Sequence, residues 1–211
     1  MPASRLRQTA RHTLASVLVL AVVASGVITL WHPWGLWKVS GVLPLLGLLA
    51  LTVLASGPLL TAITFKPAST TRQRLSEICV LALLQLGFLV LGVAGIYQSR
   101  PLFLVAEGRQ LVLVNANELS ESAKSIADAR FPTRWHDGPQ RVSVATINDG
   151  LFGSISNRAW QPAFYQSWPT AVPLLLGRNS GTSQTTTVNL HVDAATTSMT
   201  LDANGNPLHV Q

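Results

Sequence analysis

The first 76 residues contain no Asp or Glu. They hold seven Lys or Arg and two long uncharged apolar runs, and a third run begins at Ile78. A water-facing surface is normally built from both signs of charge, so this part of the chain is not an ordinary soluble domain. Cysteine is nearly absent as well: Cys79 stands alone, which excludes an internal disulfide. No Asp, Glu, Lys, Arg or His lies inside the runs. Ion pumps and proton relays need such groups within the membrane, so a transporter is disfavoured. No glycine-rich phosphate loop is present. The histidines His12, His32, His136, His191 and His209 are scattered without ligand spacing, so no metal site is expected. Gly153-Ser154 lacks the flanking glycines of a nucleophile elbow. His136-Asp137 beside Gly138-Pro139 reads as a turn rather than a catalytic pair. No catalytic residue, no cofactor and no small-molecule substrate are expected.

The apolar runs are Thr13–Trp31, Val39–Phe65 and Ile78–Ser99. Crossing hydrocarbon takes roughly 20 apolar residues at a rise of about 1.5 Å each. A helix apolar on every side is buried in a large core or in lipid. The remainder of the chain is too small to enclose three such helices. Three transmembrane helices are therefore expected, at about 13–31, 43–65 and 78–99. They form a membrane domain over 1–100, and a small soluble α+β domain follows over 101–211.

Charge sets the expected orientation. Arg5, Arg7 and Arg11 precede the first run, and Lys66, Arg72 and Arg74 lie between the second and third. The loop between the first and second holds only Lys38. Short basic loops stay cytoplasmic. The N-terminus and the Lys66–Ser76 loop are thus expected inside. The His32–Lys38 loop and everything after Arg100 are expected outside, which in a bacterium is the periplasm. The basic start and the small residues at Ala24–Gly26 also suit a signal peptide. The length of the run favours an uncleaved anchor, and cleavage after Ala24 would leave the same topology.

The net charge of +6 does not point to nucleic acid. From Glu77 onward there are eight bases and nine acids, so the exported part is near neutral. The basic excess flanks the membrane, where anionic lipid and topology account for it.

Trp31, Trp34 and Trp37 crowd the outer loop, where an interfacial aromatic belt is the expected role. In the second run Gly57-Pro58 is expected to loosen the helix, and Gly57 with Thr61 forms a small-residue face. Gln85 brings a lone amide into the third run, as glue within the bundle or as a socket for a foreign helix.

The soluble part reads as strands at Leu102–Ala106 and Gln110–Asn115. A helix capped by Asn115 or Asn117 is expected to run to about Arg130. Further strands are expected at Arg141–Ile147, Thr185–Val192, Thr196–Leu201 and Leu208–Val210. The last two flank an Asn204-Gly205 turn. A short helix is expected within Asp149–Trp160.

Several segments occur in an order that resembles a known family. They are Trp31–Trp37 leading to Ser40-Gly41, Gly57-Pro58-Leu59-Leu60-Thr61, Phe65-Lys66-Pro67 and Gln85. Tyr97-Gln98-Ser99-Arg100-Pro101, Leu104-Val105-Ala106-Glu107, and Trp135 with Gly138-Pro139 complete the set. Over about Leu30 to Val144 the chain resembles the type IV pilin accessory proteins, the TfpX/TfpZ-like fimbrial assembly proteins. Beyond about Ala163 the likeness stops. The family tends to carry a tyrosine-rich stretch there, and this chain has only Phe164-Tyr165. The resemblance implies an inner-membrane, chaperone-like helper that binds and stabilises one cognate type IV major pilin. Membrane lipid is the other expected partner. Candidate contacts to a partner helix are Gly57, Pro58, Thr61 and Gln85. Candidate interface residues at the start of the periplasmic domain are Arg100, Pro101, Phe103 and Glu107. A competing reading is a membrane-anchored sensor or scaffold whose periplasmic domain binds another ligand. It wants a cytoplasmic output element, for which the inner loops are too short.

Overall fold

In a computed structural model the structure describes residues 3–64, 71–144, 157–168, 175, 185–192 and 195–211. The chain divides into two compact units. One joins Met1–Val27 to Val42–Tyr97, and the other joins Ile28–Gly41 to Gln98–Gln211.

The first unit is helical. Helix α1 spans Ala3–Gly26, α2 spans Val42–Thr64 and α3 spans Thr71–Gln98. Two stretches, Ala10–Trp31 and Leu75–Gln98, are long and apolar enough to cross a membrane. Three spans were expected from the sequence. The second expected span falls on α2, whose stretch Val42–Ser56 is a shorter apolar helix among the described residues. α1 and α2 pack against each other. α3 approaches α2 closely at Gly92, where an added β-carbon would lie 2.5 Å from Leu49 Cδ1. Most large apolar side chains here stay uncovered by protein, among them Leu14, Leu51, Leu83 and Leu91. That pattern fits lipid rather than water as the solvent.

The second unit is a mixed seven-stranded sheet. Strands β1 (Pro101–Glu107), β2 (Gln110–Asn115), β3 (Gln140–Val144), β4 (Tyr165–Ser167), β5 (Thr185–Val192), β6 (Ala195–Asp202) and β7 (Pro207–Val210) lie in the order β4-β3-β1-β2-β5-β6-β7. β1 pairs in parallel with β3 and β2 in parallel with β5, and the other neighbours are antiparallel. The central strands are covered on both faces. Phe103, Val105, Val112 and Val114 point to one core, and Leu104, Ala106, Leu111 and Leu113 to the other. Side chains alternate across a strand, so two apolar layers on β1 and β2 require unbroken apolar sequence. β5 is covered on one face only. Val188, Leu190 and Val192 are buried while Thr187 and Asn189 are exposed, the period-2 pattern that marks a half-solvated strand.

Helix α4, Glu121–Arg130, covers the first core. Its N-cap is Ser120, whose Oγ accepts from Ala123 N at 3.2 Å. The expected caps do other work. Asn115 donates through Nδ2 to Glu118 Oε1 at 2.6 Å, and Ala116–Glu118 is a single 3-10 turn. Leu119 then takes an extended conformation and buries itself, so the helix starts one residue after Ser120 rather than at Asn117. Tyr165 closes this core. Its ring meets Phe103 edge-on at 5.1 Å, and its hydroxyl donates to the Ala159 carbonyl at 2.5 Å. Burial, and secondarily the Glu118 charge, push the Tyr165 phenol well above its usual range.

The second core is closed by the segment between α1 and α2. α1 continues as a π-helical stretch, Val27–Trp31, followed by a kinked 3-10 stretch, Pro33–Lys38. Trp34 (φ 58°) and Gly35 (φ 82°) both take left-handed backbone. This reverses the chain and drives Leu36 into the sheet core, where it is 0% exposed among Leu104, Leu113, Met199 and Val210. Left-handed backbone costs a bulky residue roughly 1–3 kcal/mol, sustained only where packing over-determines it. The tryptophan-rich loop expected as a lipid-interface belt is therefore built into the sheet unit. Trp31 is 6% exposed, and Trp34 packs on the core.

The expected strand at Arg141–Ile147 is observed as Gln140–Val144, with 145–147 outside the described residues. Of the short helix expected within Asp149–Trp160, the described part is a 3-10 turn at Asn157–Trp160.

Candidate partner-contact surface

Of the residues read as a partner-helix site, Gly57, Pro58 and Thr61 lie on α2 with side chains outside the described ones. Gln85 is half-buried, and its Nε2 donates to the Val53 carbonyl on α2 at 3.3 Å. Ser56 Oγ donates to the same carbonyl at 3.1 Å. The neighbouring Leu54 carbonyl is the one that Pro58, lacking an N–H, leaves without its helical donor. Gln85 thus ties α3 to α2 beside the proline, as interhelical glue.

The proposed interface at the start of the sheet domain is mostly interior. Phe103 is 0% exposed and belongs to the core, so it offers no surface to a partner. Arg100 is also buried, and its carbonyl accepts from Ala116 N at 2.9 Å. Pro101 is buried and opens β1 opposite Asn115. Only Glu107, at the far end of β1 opposite Gln110 and Val144, is partly exposed. These residues appeared as a surface because they follow the third apolar run. The two-faced burial of β1 turns them inward instead.

The sheet unit places a different surface where two sequence motifs meet. Trp31 Nε1 donates to the Trp135 carbonyl at 2.8 Å, across 104 residues of chain. An added β-carbon at Gly138 would lie 3.0 Å from the Leu30 carbonyl oxygen and 3.2 Å from Pro33 Cγ. Only glycine allows that approach without a shift. An open groove of about 600 Å³ runs along this seam. Thr29, Leu30, Pro33 and Trp34 form one wall, while His136 and the Gly138–Arg141 stretch form the other, with Trp168 also lining it.

Its charged wall is held in place. Asp202 at the end of β6 accepts from Asn206 N at 2.7 Å, Asn206 Nδ2 at 2.9 Å and Asn204 N at 2.9 Å. The Asn206 side chain first, then its backbone N–H, holds the Asp202 carboxyl below its usual range. Asn206 Oδ1 in turn accepts from Arg141 Nη1. The Arg141 guanidinium lies 5.9 Å from the centre of the Trp168 ring. On the same wall His136 Nδ1 lies 3.2 Å from Asp137 Oδ1, and Asp137 Oδ2 accepts from Arg134 N at 2.9 Å. That confirms a turn at His136-Asp137. Trp135 stands beside it, 65% exposed. Among the described residues no cluster of three His, Cys, Asp or Glu is placed to hold a metal.

This surface has the character of a binding face: aromatic, open, and carrying the Arg141 guanidinium. Sequence reasoning missed it because Trp168 and Arg141 belong to no motif. The available signal was that the Trp31–Trp37 and Trp135–Pro139 segments belong to one ordered set.

Three fimbrial assembly proteins of Dichelobacter nodosus are similar to the chain. That of serogroups C1 and C2 is 29% identical over 96 residues, covering 46% of this chain and 73% of that protein. That of serogroup I is 27% identical over 128 residues, covering 59% and 50%. That of serogroup E1 is 26% identical over the same length and shares. The chain thus spans about half the length of two of these relatives. They bear out the resemblance to fimbrial assembly proteins. No protein-family model matches the chain, and no solved structure does.

Proposed function

We propose that this protein is an inner-membrane accessory protein that binds and stabilises a cognate type IV major pilin and so promotes pilus assembly. The observation that carries the proposal is the likeness to three proteins named for fimbrial assembly. In this reading the work is binding, without catalysis or cofactor. A pilin waiting in the membrane is an apolar helix with an exported head. A helper with a helical unit and a folded sheet unit has a surface for each.

Three spans, with the N-terminus cytoplasmic and the sheet unit periplasmic, form part of the proposal. Parity supports them. The sheet unit contains both Ile28–Gly41 and Gln98–Gln211, so both segments lie on one side of any membrane. The chain between them must leave that side and return. If α3 crosses, α2 crosses too. Its 23 residues make about 34 Å of helix at about 1.5 Å per residue, enough for the hydrocarbon layer.

The test is site-specific photo-crosslinking in intact membranes, with probes at exposed Leu83 on α3 and Trp135 on the sheet unit. Crosslinks to pilin from both positions are expected. Deleting the gene should lower surface pili and pilin protein while leaving pilin transcription unchanged. Normal piliation in the deletion strain, with no crosslink to pilin from either probe, would contradict the proposal.

A further inference from the structure

We propose that the groove between Leu30–Trp34 and His136–Arg141 binds the phosphate headgroup of an anionic phospholipid, in the leaflet where the first span ends. The inference goes beyond pilin binding. It rests only on α1 being a membrane helix.

Position is the first reason. Thr29 and Leu30, on one wall, are among the last residues of the apolar stretch Ala10–Trp31. A helix that spans hydrocarbon reaches headgroup depth at its last turn, so this wall stands at headgroup level. Leu30 is 42% exposed and Trp135 65% exposed. Both suit the boundary between acyl chain and headgroup.

Charge is the second reason. Among the described residues the ionisable side chains lining the groove are Arg141 and His136, and no carboxylate lines it. Two carboxylates lie nearby, Asp137 against His136 and Asp202 behind Asn206, and each is held by its own hydrogen bonds, so Arg141 is the charged donor the groove offers. Arg141 is fixed by Asn206 and stacked toward Trp168, so its fork is oriented before any ligand arrives. A guanidinium so placed suits a phosphate, with donors spare for a second hydrogen bond.

An unsatisfied donor is the third. Trp168 is 8% exposed, and its indole N–H is buried without a hydrogen-bond partner among the described residues. Tryptophan N–H groups usually find a partner when buried. A lipid headgroup in the groove brings acceptor oxygens to the residue that carries it.

The experiment uses the purified full-length protein. Phosphatidylglycerol and phosphatidylcholine are supplied in equal amounts, and retained lipid is read by native mass spectrometry through stepwise detergent washing. Phosphatidylglycerol should be retained preferentially. Arg141→Gln with His136→Gln should cut that preference by about fivefold, the scale of one Arg near an anionic surface. Arg141→Lys, which keeps charge and loses the fork, should fall between. Arg109→Gln, on the exposed turn between β1 and β2, should leave the preference unchanged. Unaltered melting of each variant excludes unfolding as the cause. Equal retention of the two lipids by the unmodified protein would overturn the proposal. So would an undiminished preference in the folded double variant. A crosslinker at Trp135 that captures only protein, with no lipid preference, would overturn it in favour of an acidic protein partner.

Discussion

The two units of this chain solve the same problem, burial of apolar surface, in opposite ways. In the helical unit most large apolar side chains stay uncovered, although Leu49, Val53 and Ile96 are buried, and a polar side chain joins two helices. Leu83 and Leu91 are exposed, while Gln85 reaches inward to the Val53 carbonyl. In the sheet unit Phe103, Leu104 and Val105 are all 0% exposed, and polar side chains line the solvent face of β5. Lipid is as apolar as leucine, so helices gain little by hiding leucine from it and associate through hydrogen bonds and close packing. Water drives the sheet unit to bury such side chains on both faces of its central strands. One chain thus carries two solvents' rules, and the boundary between them is not a single point in sequence. Ile28–Gly41 lies between the apolar helices α1 and α2 and yet belongs to the sheet unit.

That segment is where the contrast is most easily broken. Leu36 is fully buried in the sheet core although the nearest strand begins at Pro101. Leu36→Ala should destabilise the sheet unit by about 2–5 kcal/mol, the usual cost of a leucine cavity. Amide exchange of β6 and β7 reads this directly. A segment that does not pack on the sheet would leave their protection unchanged. For the same reason the residues after Arg100 expressed alone should fold poorly, since they lack one wall of their core.

A smaller effect should separate the units by pH. Tyr165 donates to the Ala159 carbonyl in a buried site that raises its pKa. The unfolded phenol ionises near pH 10, whereas the folded one holds its proton at higher pH. The stabilising contribution is therefore complete below about pH 10 and is lost as pH rises further. Melting of the sheet unit should fall on that alkaline limb. Tyr165→Phe should flatten it and cost about 1 kcal/mol at neutral pH through the lost hydrogen bond. Equal alkaline slopes in both proteins would remove Tyr165 from this role.

The smallest expected change lies in the helices. Gln85→Leu should cost about 0.6 kcal/mol, up to about 2 in model systems. It should reduce pilus assembly in part without loss of the protein. Normal pilin levels and piliation would reduce Gln85 to passive packing.

Much of this fold was legible, and what escaped has a common cause. β5 was read at its observed bounds because alternation is a local signal, and β1 and β2 because a short turn separates two unbroken apolar runs. The apolar helices showed themselves by length and lack of charge. The packing of the tryptophan loop into the sheet core escaped because the preference of Trp for the headgroup layer is a local average. The contact that decides its place, Trp31 to Trp135, joins residues 104 apart. Phe103 was misplaced for the same reason: nothing near it in sequence shows that α4 and Tyr165 will cover its face. The start of α4 went astray because Asn115 and Ser120 are both competent caps, and only the buried Leu119 selects between them. The groove combined Arg141 and Trp168 with a loop more than a hundred residues earlier, and no spacing rule reaches that far.

The interleaving of the two units is the central claim, and sidedness tests it most directly. In a Cys79→Ser background, single cysteines at Lys38, Leu208 and Arg72 can be probed in whole cells with a membrane-impermeant maleimide reaching the periplasm. Lys38→Cys and Leu208→Cys should both label in intact cells, because both belong to the sheet unit. Arg72→Cys should label only after the inner membrane is permeabilised. Labelling of Lys38→Cys and Leu208→Cys from opposite sides would contradict the account, since one folded unit cannot lie on both sides of a bilayer.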